Sequence, residues 1–471
     1  MKVEQLFTGC LAEMAYYIHS NGEAAIIDPL RETEPYIEMA KADGAKIKYI
    51  FLTHFHADFV SGQVDLARET GATIVFGPNA DPSYEIHQGK DGEDFKIGDL
   101  TLKLLHTPGH TMESSSYLLI DEKGNKPYVF TGDCLFIGDV GRPDLAVKSD
   151  LTQADLAGHL FESLRNKIMT LPDDIIVYPN HGAGSACGKN MSSETFDTLG
   201  NQKKTNYALR ADMTKEEFID EVTTGLKPPP QYFGNNVRMN KGINVSIDEI
   251  LHRGTTPIDA DTFKEMSEQK DILVIDTRSK EIYAEEGTVP GAWYIGVDGN
   301  FAPWVGALVK DINQKIIFIA EGGREHEVVT RFSRVGYDNT IGYLRGGMHA
   351  WKAAGHQFDQ IGSMSSIQFA NRLKEGSMEM PMDVRKETEY QSEHVVGVTN
   401  FPLDTIHANF AEINPDKEYF LHCASGYRSL IAASIFQANG VNKVTDIRGG
   451  FVDIKDSGAE LTEYVCPTTL L

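Results

Sequence analysis

The stretch that decides the fold of the first third of the chain is KYIFLTHFHADF, residues 48–59. Its apolar first half predicts a buried strand. His54, His56 and Asp58 therefore fall in the loop that follows this strand. Imidazole nitrogens and carboxylate oxygens clustered in this way are typical of metal ligands.

Three more potential ligands follow apolar runs in the same manner: His110 in TPGHT, Asp133 in TGD and His181 in YPNHG. Open α/β sheets bind ligands at the carboxyl ends of their strands, so we expect these side chains at one edge. A single histidine is more often a hydrogen-bonded core or surface residue than a ligand. Several at successive strand ends predict a metal site.

Strand-like and helix-like segments alternate through this region, which indicates an α/β fold. The strand candidates are AAIID, YIFLTH, TIVFG, LTLKLLHTPG, YLLID, PYVFTGD and IIVYPNH, and the helical patterns include EPYIEMAKADG and SGQVDLARETG. The prolines at 228–230 must end a helix, and we interpret the chain from there to about residue 256 as a tail and linker.

Composition restricts the class of protein. The chain has 471 residues, which predicts about two to four domains, and 41% of them are hydrophobic, as in ordinary globular proteins. A formal net charge of −24 repels nucleic-acid phosphates and anionic lipids, so neither nucleic acid nor a membrane is an expected partner. Five scattered cysteines and the lack of an export-like N-terminus favour a cytoplasmic location.

The second half of the chain contains an internal duplication. The segment ILVIDTRSKEIYAEEGTVPGAWYI resembles MEMPMDVRKETEYQSEHVVGVTNF, and YLRGGMHAW recurs as DIRGGFVDI. Two copies of one α/β module of about 100 residues explain this similarity. We therefore expect three domains, at residues 1–250, 256–360 and 365–471.

The ligand pattern, with a glycine before His110 and another before Asp133, resembles that of the metallo-β-lactamase superfamily over about residues 1–250. This resemblance implies an αβ/βα sandwich. Two-metal hydrolases of the superfamily, including those that cleave glutathione thioesters, have a histidine directly after the aspartate that corresponds to Asp58. This chain has Phe59 there. A phenyl ring has no lone pair for a metal, so a mononuclear centre is favoured.

Among superfamily members, the first domain is most similar to the persulfide dioxygenases, through THFHAD, TPGHT, FTGD and the turn GRPD. That resemblance implies one Fe(II) per chain. The implied iron ligands are His54, His110 and Asp133. Three further residues would surround the iron and orient its ligands and bound water, or would be vestigial. They are His56, Asp58 and His181.

The same resemblance implies a reaction. A low-molecular-weight persulfide, of glutathione, coenzyme A or a similar thiol, would bind iron together with O₂, and its outer sulfur would leave as sulfite. Arg142 would hold a carboxylate of the carrier thiol, or else tie the turn to Asp144. Cys187 lies six residues after His181 and is expected at the mouth of the same site, where it would carry or accept sulfane sulfur, or else be a small buried thiol.

The segment EYFLHCASGYRSLIAASIFQANG places Cys423 between a strand and a helix. Amide N–H groups, the helix dipole and the nearby Arg428 favour its thiolate. Cys423 is therefore a candidate nucleophile and Arg428 a candidate catalytic residue, with an inert buried thiol as the alternative. Four residues separate the two, whereas cysteine phosphatases have five.

This shorter loop, with the motifs DVR and RGG, resembles that of the rhodaneses over about residues 365–465. The resemblance implies that Cys423 cycles between thiolate and persulfide and that Arg428 positions sulfite or thiosulfate. The implied cradle residues are Ser425, Gly426 and Tyr427. The middle copy has Glu321 in place of the cysteine, and a carboxylate cannot carry sulfane sulfur. It therefore resembles inactive rhodanese-like modules, and we expect it to act as a spacer or docking surface.

The domain order resembles the known fusions of a persulfide dioxygenase with rhodanese modules. Such an enzyme would oxidise a thiol persulfide at iron and exchange sulfur between persulfide and sulfite or thiosulfate. Two alternatives stay open: a two-metal, glyoxalase II-like thioester hydrolase carrying sulfurtransferase modules, and a non-enzymatic sulfur carrier. The direction of transfer, the carrier thiol and assembly into a homo-oligomer also stay open.

Overall fold

The structure, a computed structural model, describes residues 1–147, 150–189 and 191–466. The chain divides into two units, of which the first comprises Met1–Ile247 with Ser333–Gly336 and the second the remaining described residues.

The first unit contains two β-sheets in which sequence neighbours lie side by side. The strands of one sheet are β1 (Lys2–Thr8), β2 (Glu13–Ser20), β3 (Glu23–Ile27), β4 (Lys46–Phe51), β5 (Thr73–Phe76) and β6 (His87–Gln88). The strands of the other are β7 (Asp94–Ile97), β8 (Leu100–His106), β9 (Ser115–Ile120), β10 (Tyr128–Gly132), β11 (Ile176–Pro179) and β12 (Asp197–Thr198). The helices of this unit include α1 (Glu34–Ala42), α2 (Gln63–Thr70), α3 (Gln153–Ser163), α4 (Leu199–Thr205), α5 (Lys215–Thr223) and α6 (Phe233–Lys241).

The sheets pack face to face with helices on their outer faces. Alternate residues of β2 enter different cores, because side chains of a strand point to opposite sides. Tyr16 and Ile18 pack with Leu102 of β8 between the sheets. Tyr17 packs with Tyr36 of α1 on the outer face. Both faces of β2 are therefore apolar, and the predicted αβ/βα sandwich is confirmed.

The local predictions for this unit are confirmed where hydrophobic patterning is strong. Each of the predicted strand segments contains a strand, and the two quoted helical patterns form α1 and α2. Gly71, which follows α2, has a φ of 70°, the left-handed conformation that ends many helices.

The interpretation of residues 228 to 256 as a tail and linker was wrong. This segment forms α6 and α7 (Ile247–Gly254), and Asn236 and Asn240 of α6 are almost completely buried. The segment is therefore part of the packed structure of the first unit up to Ile247. The hairpin of β1 and β2 was also not predicted.

The second unit contains two further sheets. The strands of the first are β13 (Pro257–Ile258), β14 (Ile272–Asp276), β15 (Trp293–Tyr294), β16 (Lys315–Ile319) and β17 (Thr340–Leu344). The strands of the second are β18 (Gly362–Met364), β19 (Met380–Asp383), β20 (Thr399–Asn400), β21 (Tyr419–His422) and β22 (Val444–Ile447). The helices are α8 (Ala260–Ser267), α9 (Lys280–Glu286), α10 (Phe301–Leu308), α11 (Glu325–Arg334), α12 (Gly347–Ala353), α13 (Ser366–Lys374), α14 (Glu387–Ser392), α15 (Ile406–Asn409), α16 (Tyr427–Ala438) and α17 (Gly450–Lys455).

The two sheets of this unit have the same topology. In each, the spatial order of the strands is first, fifth, fourth, second and third, and the paired strands are parallel. The duplication predicted from sequence is thus confirmed in the fold. None of the helices that the structure describes combines the length and the apolar composition that a bilayer crossing requires.

Candidate metal centre and sulfur-transfer loop

Three of the predicted ligands converge at the carboxyl ends of their strands. His54 follows β4, His110 follows β8 and Asp133 directly follows β10. Asp133 Oδ2 lies 3.4 Å from His110 Nε2 and 3.8 Å from His54 Nε2. All three side chains are buried, and one ligand atom from each lies within 4.8 Å of the others. The edge of the sheet therefore assembles two imidazoles and one carboxylate.

Hydrogen bonds fix the orientation of both imidazole rings. His54 Nδ1 lies 3.0 Å from Thr53 Oγ1, and the Thr53 hydroxyl donates to Asp28 Oδ2. The Thr53 oxygen therefore accepts a hydrogen bond from the Nδ1–H group of His54. His110 Nδ1 donates to the carbonyl oxygen of Arg142 at 2.9 Å. In both rings the Nε2 lone pair is thus directed at the carboxylate, as in a metal-ligating histidine.

The protonation states also suit a cation. Burial and the neighbouring His56 imidazole lower the pKa of His54 well below its usual value, so its ring is neutral. Burial alone would raise the pKa of Asp133, but His181, His54 and His110 hold it well below its usual range. Asp133 Oδ2 is buried and has no hydrogen-bond partner among the described residues. These donors fit a divalent metal ion.

His56 is held by Asp28, a residue that the sequence analysis missed. His56 Nε2 lies 3.0 Å from Asp28 Oδ1, which also accepts a hydrogen bond from the Thr53 N–H at 2.8 Å. The His56 and His54 ring centroids are 4.3 Å apart. Asp28 ends the strand segment AAIID, so the strand-end position that marked the other candidates could have identified it.

Asn240 of α6 supports the loop that carries the first ligands. Its Nδ2 donates to the carbonyl oxygens of His56 and Phe59, both at 2.8 Å. Its Oδ1 accepts from the Ser61 N–H at 2.9 Å and from the Ser61 hydroxyl at 3.2 Å. One buried amide thus satisfies three backbone groups of the loop. Nothing in the local sequence around Asn240 indicated this role.

Asp58, His181 and Cys187 form a second group of potential ligands. One atom from each lies within 4.8 Å of the others, and all three side chains are buried. His181 Nε2 lies 2.8 Å from Asp58 Oδ2, and His181 Nδ1 donates to Asp133 Oδ1 at 2.9 Å. The two groups of ligands are therefore adjacent. The resemblance placed Asp58 and His181 around the iron, and Cys187 was expected at the same mouth because it lies six residues after His181; the structure brings these three side chains together.

Phe59 and Cys187 are the two buried side chains that bear on whether a second metal could bind. Phe59 is fully buried and stacks on His56, with ring centroids 4.3 Å apart. Burial raises the pKa of Cys187 well above its usual value, and the carboxylates of Asp58 and Asp133 raise it further. Without a cation Cys187 is therefore a protonated thiol, which a bound metal would deprotonate.

Arg142 is engaged within its own loop region. Its Nε and Nη2 donate to the two carboxylate oxygens of Asp144, both at 2.6 Å. Further donations reach the carbonyl oxygens of Ala186 at 3.3 Å and Lys227 at 2.5 Å. This geometry favours the alternative in which Arg142 ties the turn to Asp144. Binding of a substrate carboxylate by Arg142 stays a prediction.

Cys423 lies between β21 and α16, as predicted from sequence. Its side chain is buried, and its Sγ accepts a hydrogen bond from the Gly426 N–H at 3.1 Å and from the Ser429 hydroxyl at 3.6 Å. The N–H of Phe451, at the start of α17, donates to the Cys423 carbonyl oxygen at 2.7 Å. The loop is therefore fixed from both sides, with donors aimed at the sulfur.

The arginine of this loop has an acidic partner that the sequence did not reveal. Arg428 Nη1 and Nη2 donate to the two carboxylate oxygens of Glu389, at 2.6 and 2.9 Å. In the middle copy, Arg324 forms ion pairs of 2.8 Å with Asp298 and with Glu327. Both loop arginines are thus neutralised by carboxylates.

Comparisons with known proteins agree with this geometry. A family model of the metallo-beta-lactamase superfamily matches residues 8–181. Among curated proteins, "Probable hydroxyacylglutathione hydrolase glo2" of Schizosaccharomyces pombe is 33% identical over 198 residues, which cover 41% of this chain and 72% of that protein. The chain belongs to the metallo-β-lactamase superfamily.

The chain is also similar to a curated persulfide dioxygenase and to a solved metallo-beta-lactamase structure. "Persulfide dioxygenase ETHE1, mitochondrial" of Homo sapiens is 29% identical over 49% of this chain and 83% of that protein. The crystal structure of a metallo-beta-lactamase from Staphylococcus aureus subsp. aureus COL superposes with a TM-score of 0.63 at 31% identity, covering 73% of this chain and 98% of that one.

The second half of the chain matches a different family model. The rhodanese-like domain model matches residues 259–354 and 366–457. The predicted architecture, a metallo-β-lactamase domain with persulfide dioxygenase homologues followed by two rhodanese-like domains, is therefore confirmed. The chain belongs to a family of enzymes, and its relatives include proteins named as a persulfide dioxygenase and as hydroxyacylglutathione hydrolases.

Proposed function

We propose that the chain oxidises the persulfide of a low-molecular-weight thiol with O₂ at one Fe(II), and that its last domain transfers sulfane sulfur. The observation that carries the first part is the arrangement of His54, His110 and Asp133, since two imidazoles and one carboxylate on one side of a site are the donor set of non-haem iron(II) oxygenases. The similarity to persulfide dioxygenases supports the same reading.

When bound, Fe(II) would supply the electron exchange with O₂ that protein side chains do not provide. Neighbouring residues of the chain orient the metal ligands through hydrogen bonds. Thr53 and the Arg142 carbonyl keep the Nε2 atoms of His54 and His110 unprotonated. His181 binds one oxygen of Asp133 and leaves the other for the metal. The carrier of the persulfide would be glutathione, coenzyme A or a similar thiol.

Cys423 would carry out the sulfur-transfer step. Its thiolate attacks the outer sulfur of thiosulfate, so that a new S–S bond forms while the S–S bond of thiosulfate breaks and its electron pair leaves with sulfite. In the reverse direction, sulfite attacks the outer sulfur of the Cys423 persulfide. The Gly426 N–H, 3.1 Å from Sγ, would stabilise the charged sulfur, and Ser425 and Tyr427 would complete the cradle.

A second candidate for the first domain is a two-metal thioester hydrolase. It is favoured by the group of Asp58, His181 and Cys187, because the thiol supplies a potential ligand that Phe59 cannot. Relatives named as hydroxyacylglutathione hydrolases support this candidate. Both candidates keep the sulfurtransferase assignment of the last domain.

Metal content and turnover, measured on one anaerobic preparation, separate the candidates. Plasma mass spectrometry determines iron and zinc. Oxygen uptake is measured with glutathione persulfide, and hydrolysis is measured with an S-acylglutathione. About one iron per chain, with O₂ uptake lost in His110→Ala, supports the dioxygenase. The matched control is His87→Ala, an exposed histidine of the same domain paired with Glu93. Two zinc ions per chain, together with hydrolysis that does not depend on air, would refute the dioxygenase proposal.

A further inference from the structure

A cavity of about 210 Å³ lies beside the Cys423 loop, within the second unit. Tyr427 lines it from the last domain, and the middle domain supplies the other lining residues, among them Lys280, Tyr294 and Gly299. The middle domain, which lacks the nucleophile, therefore forms one wall of a cavity next to the active loop.

Hydrogen bonds attach the cradle of the active loop to this wall. Lys280 Nζ donates to the Ser425 carbonyl oxygen at 3.0 Å, and the Tyr427 hydroxyl donates to the Gly296 carbonyl oxygen at 2.7 Å. A Cβ at Gly299 would lie 2.3 Å from the Tyr427 ring, so only a glycine fits there. Middle-domain residues therefore contact the residues of the cradle directly.

The Cys423 loop alone offers little free positive charge to an anionic substrate. The substrates of the proposed transfer, sulfite and thiosulfate, are anions, but the Arg428 guanidinium is already bound by both oxygens of Glu389. Lys280, in contrast to Arg428, has only a long ion pair with a neighbouring acid. Its neighbour Glu281 lies 3.8 Å away and is 71% exposed, so solvent screens that pair. The other acid of the cavity, Asp298, is paired with Arg324 at 2.8 Å.

The residue that replaced the nucleophile in the middle domain helps to place Lys280. Glu321 Oε1 accepts a hydrogen bond from the Ser279 N–H at 2.9 Å. Ser279 is the N-cap of α9, and Lys280 is the first residue of that helix. The carboxylate thus fixes the start of the helix from which the lysine reaches the active loop. A cysteine at 321 would not offer this strong acceptor.

We propose that Lys280 of the inactive domain is an oxyanion-binding residue of the active Cys423 site, where it recognises the sulfite group of thiosulfate or free sulfite. This inference deepens the proposed function and rests on it. In this role the ammonium of Lys280 binds the oxygens of the leaving or entering sulfite and exchanges no proton. The middle domain then contributes to catalysis in the last domain, beyond the spacer role expected from sequence.

The test compares alkylation of Cys423 by a neutral and an anionic reagent in the full-length chain. Iodoacetamide and iodoacetate differ in charge and little in size, and peptide mass spectrometry follows Cys423 alone. In Lys280→Met the iodoacetate rate should fall about fivefold, while the iodoacetamide rate is unchanged. Lys280→Arg should retain the wild-type ratio. The matched control is Lys264→Met, a lysine of the same domain with a similar exposure of 44% against 41%.

The same variants are then assayed for sulfur transfer from thiosulfate. The KM for thiosulfate should rise about fivefold in Lys280→Met, with kcat little changed. An equal fall of both alkylation rates would show that Lys280 only shapes the loop, and unchanged rates would show that it does not act there; either result overturns the inference. A wild-type chain whose Cys423 is alkylated normally but which transfers no sulfur would refute the proposed function through a different measurement.

Discussion

Replacing Asn240 by alanine tests whether α6 supports the metal loop. The side chain is 1% exposed and accounts for three satisfied backbone groups, the carbonyls of His56 and Phe59 and the N–H of Ser61. Each such hydrogen bond contributes about 1 kcal/mol net, so Asn240→Ala should lower the free energy of unfolding of the first unit by about 3 kcal/mol. For a unit of this size that corresponds to a fall in Tm of about 6–12 °C.

The assay is thermal and urea unfolding of the full-length chain, combined with its iron content. Because the carbonyls of His56 and Phe59 belong to the ligand loop, iron retention should fall together with stability. The matched control is Asn235→Ala, on the same helix, whose side chain contacts Arg238 at the surface. A loss below about 1 kcal/mol in Asn240→Ala, or an equal loss in the control, would refute the reasoning.

The other predictions concern the nucleophile, the aromatic residue of the metal loop and a buried acid. Cys423→Ser should abolish thiosulfate turnover and leave O₂ uptake with glutathione persulfide unchanged; loss of both would contradict separate sites. Phe59→His adds an imidazole, so the total bound metal should rise from about one toward two ions per chain, measured by plasma mass spectrometry. Burial raises the pKa of Asp446 from 3.8 to about 7, with opposing contributions from Ser429, Lys280 and Arg448. The protonated form is thus favoured on folding, and wild type should lose stability between about pH 4 and pH 7 relative to Asp446→Asn, by at most about 4 kcal/mol in urea unfolding.

The sequence predicted best what depends on local patterning. Apolar runs such as YIFLT specify buried strands without help from distant residues, so the residues that follow them could be assigned to one edge of the sandwich. That is why the potential ligands could be grouped before their distances were known, while the choice of His54, His110 and Asp133 among them came from the resemblance to persulfide dioxygenases. The same argument extends to Asp28, which follows β3.

The sequence could not predict features that depend on packing between distant segments. The α6 segment FGNNVRMNK has few apolar residues, and its buried positions Asn236 and Asn240 look like a solvated face. Asn240 is buried because its amide replaces the solvent around a polar loop. The spacing of Cys187 after His181 predicted the mouth at which it lies, but the approach of its sulfur to Asp58 depends on loop packing.

The inactive domain separates the residues that specify a fold from those that perform chemistry. In both copies a buried aspartate ends the second strand and binds the arginine two residues later, with an Oδ2–Nη2 distance of 2.6 Å in Asp276–Arg278 and in Asp383–Arg385. Loss of one partner of such a buried pair leaves an uncompensated charge, which strongly destabilises a fold. The position of the nucleophile carries no such constraint, so Glu321 could replace the cysteine without loss of the domain. A diverged repeat therefore retains its buried ion pair while its loop becomes available for another task.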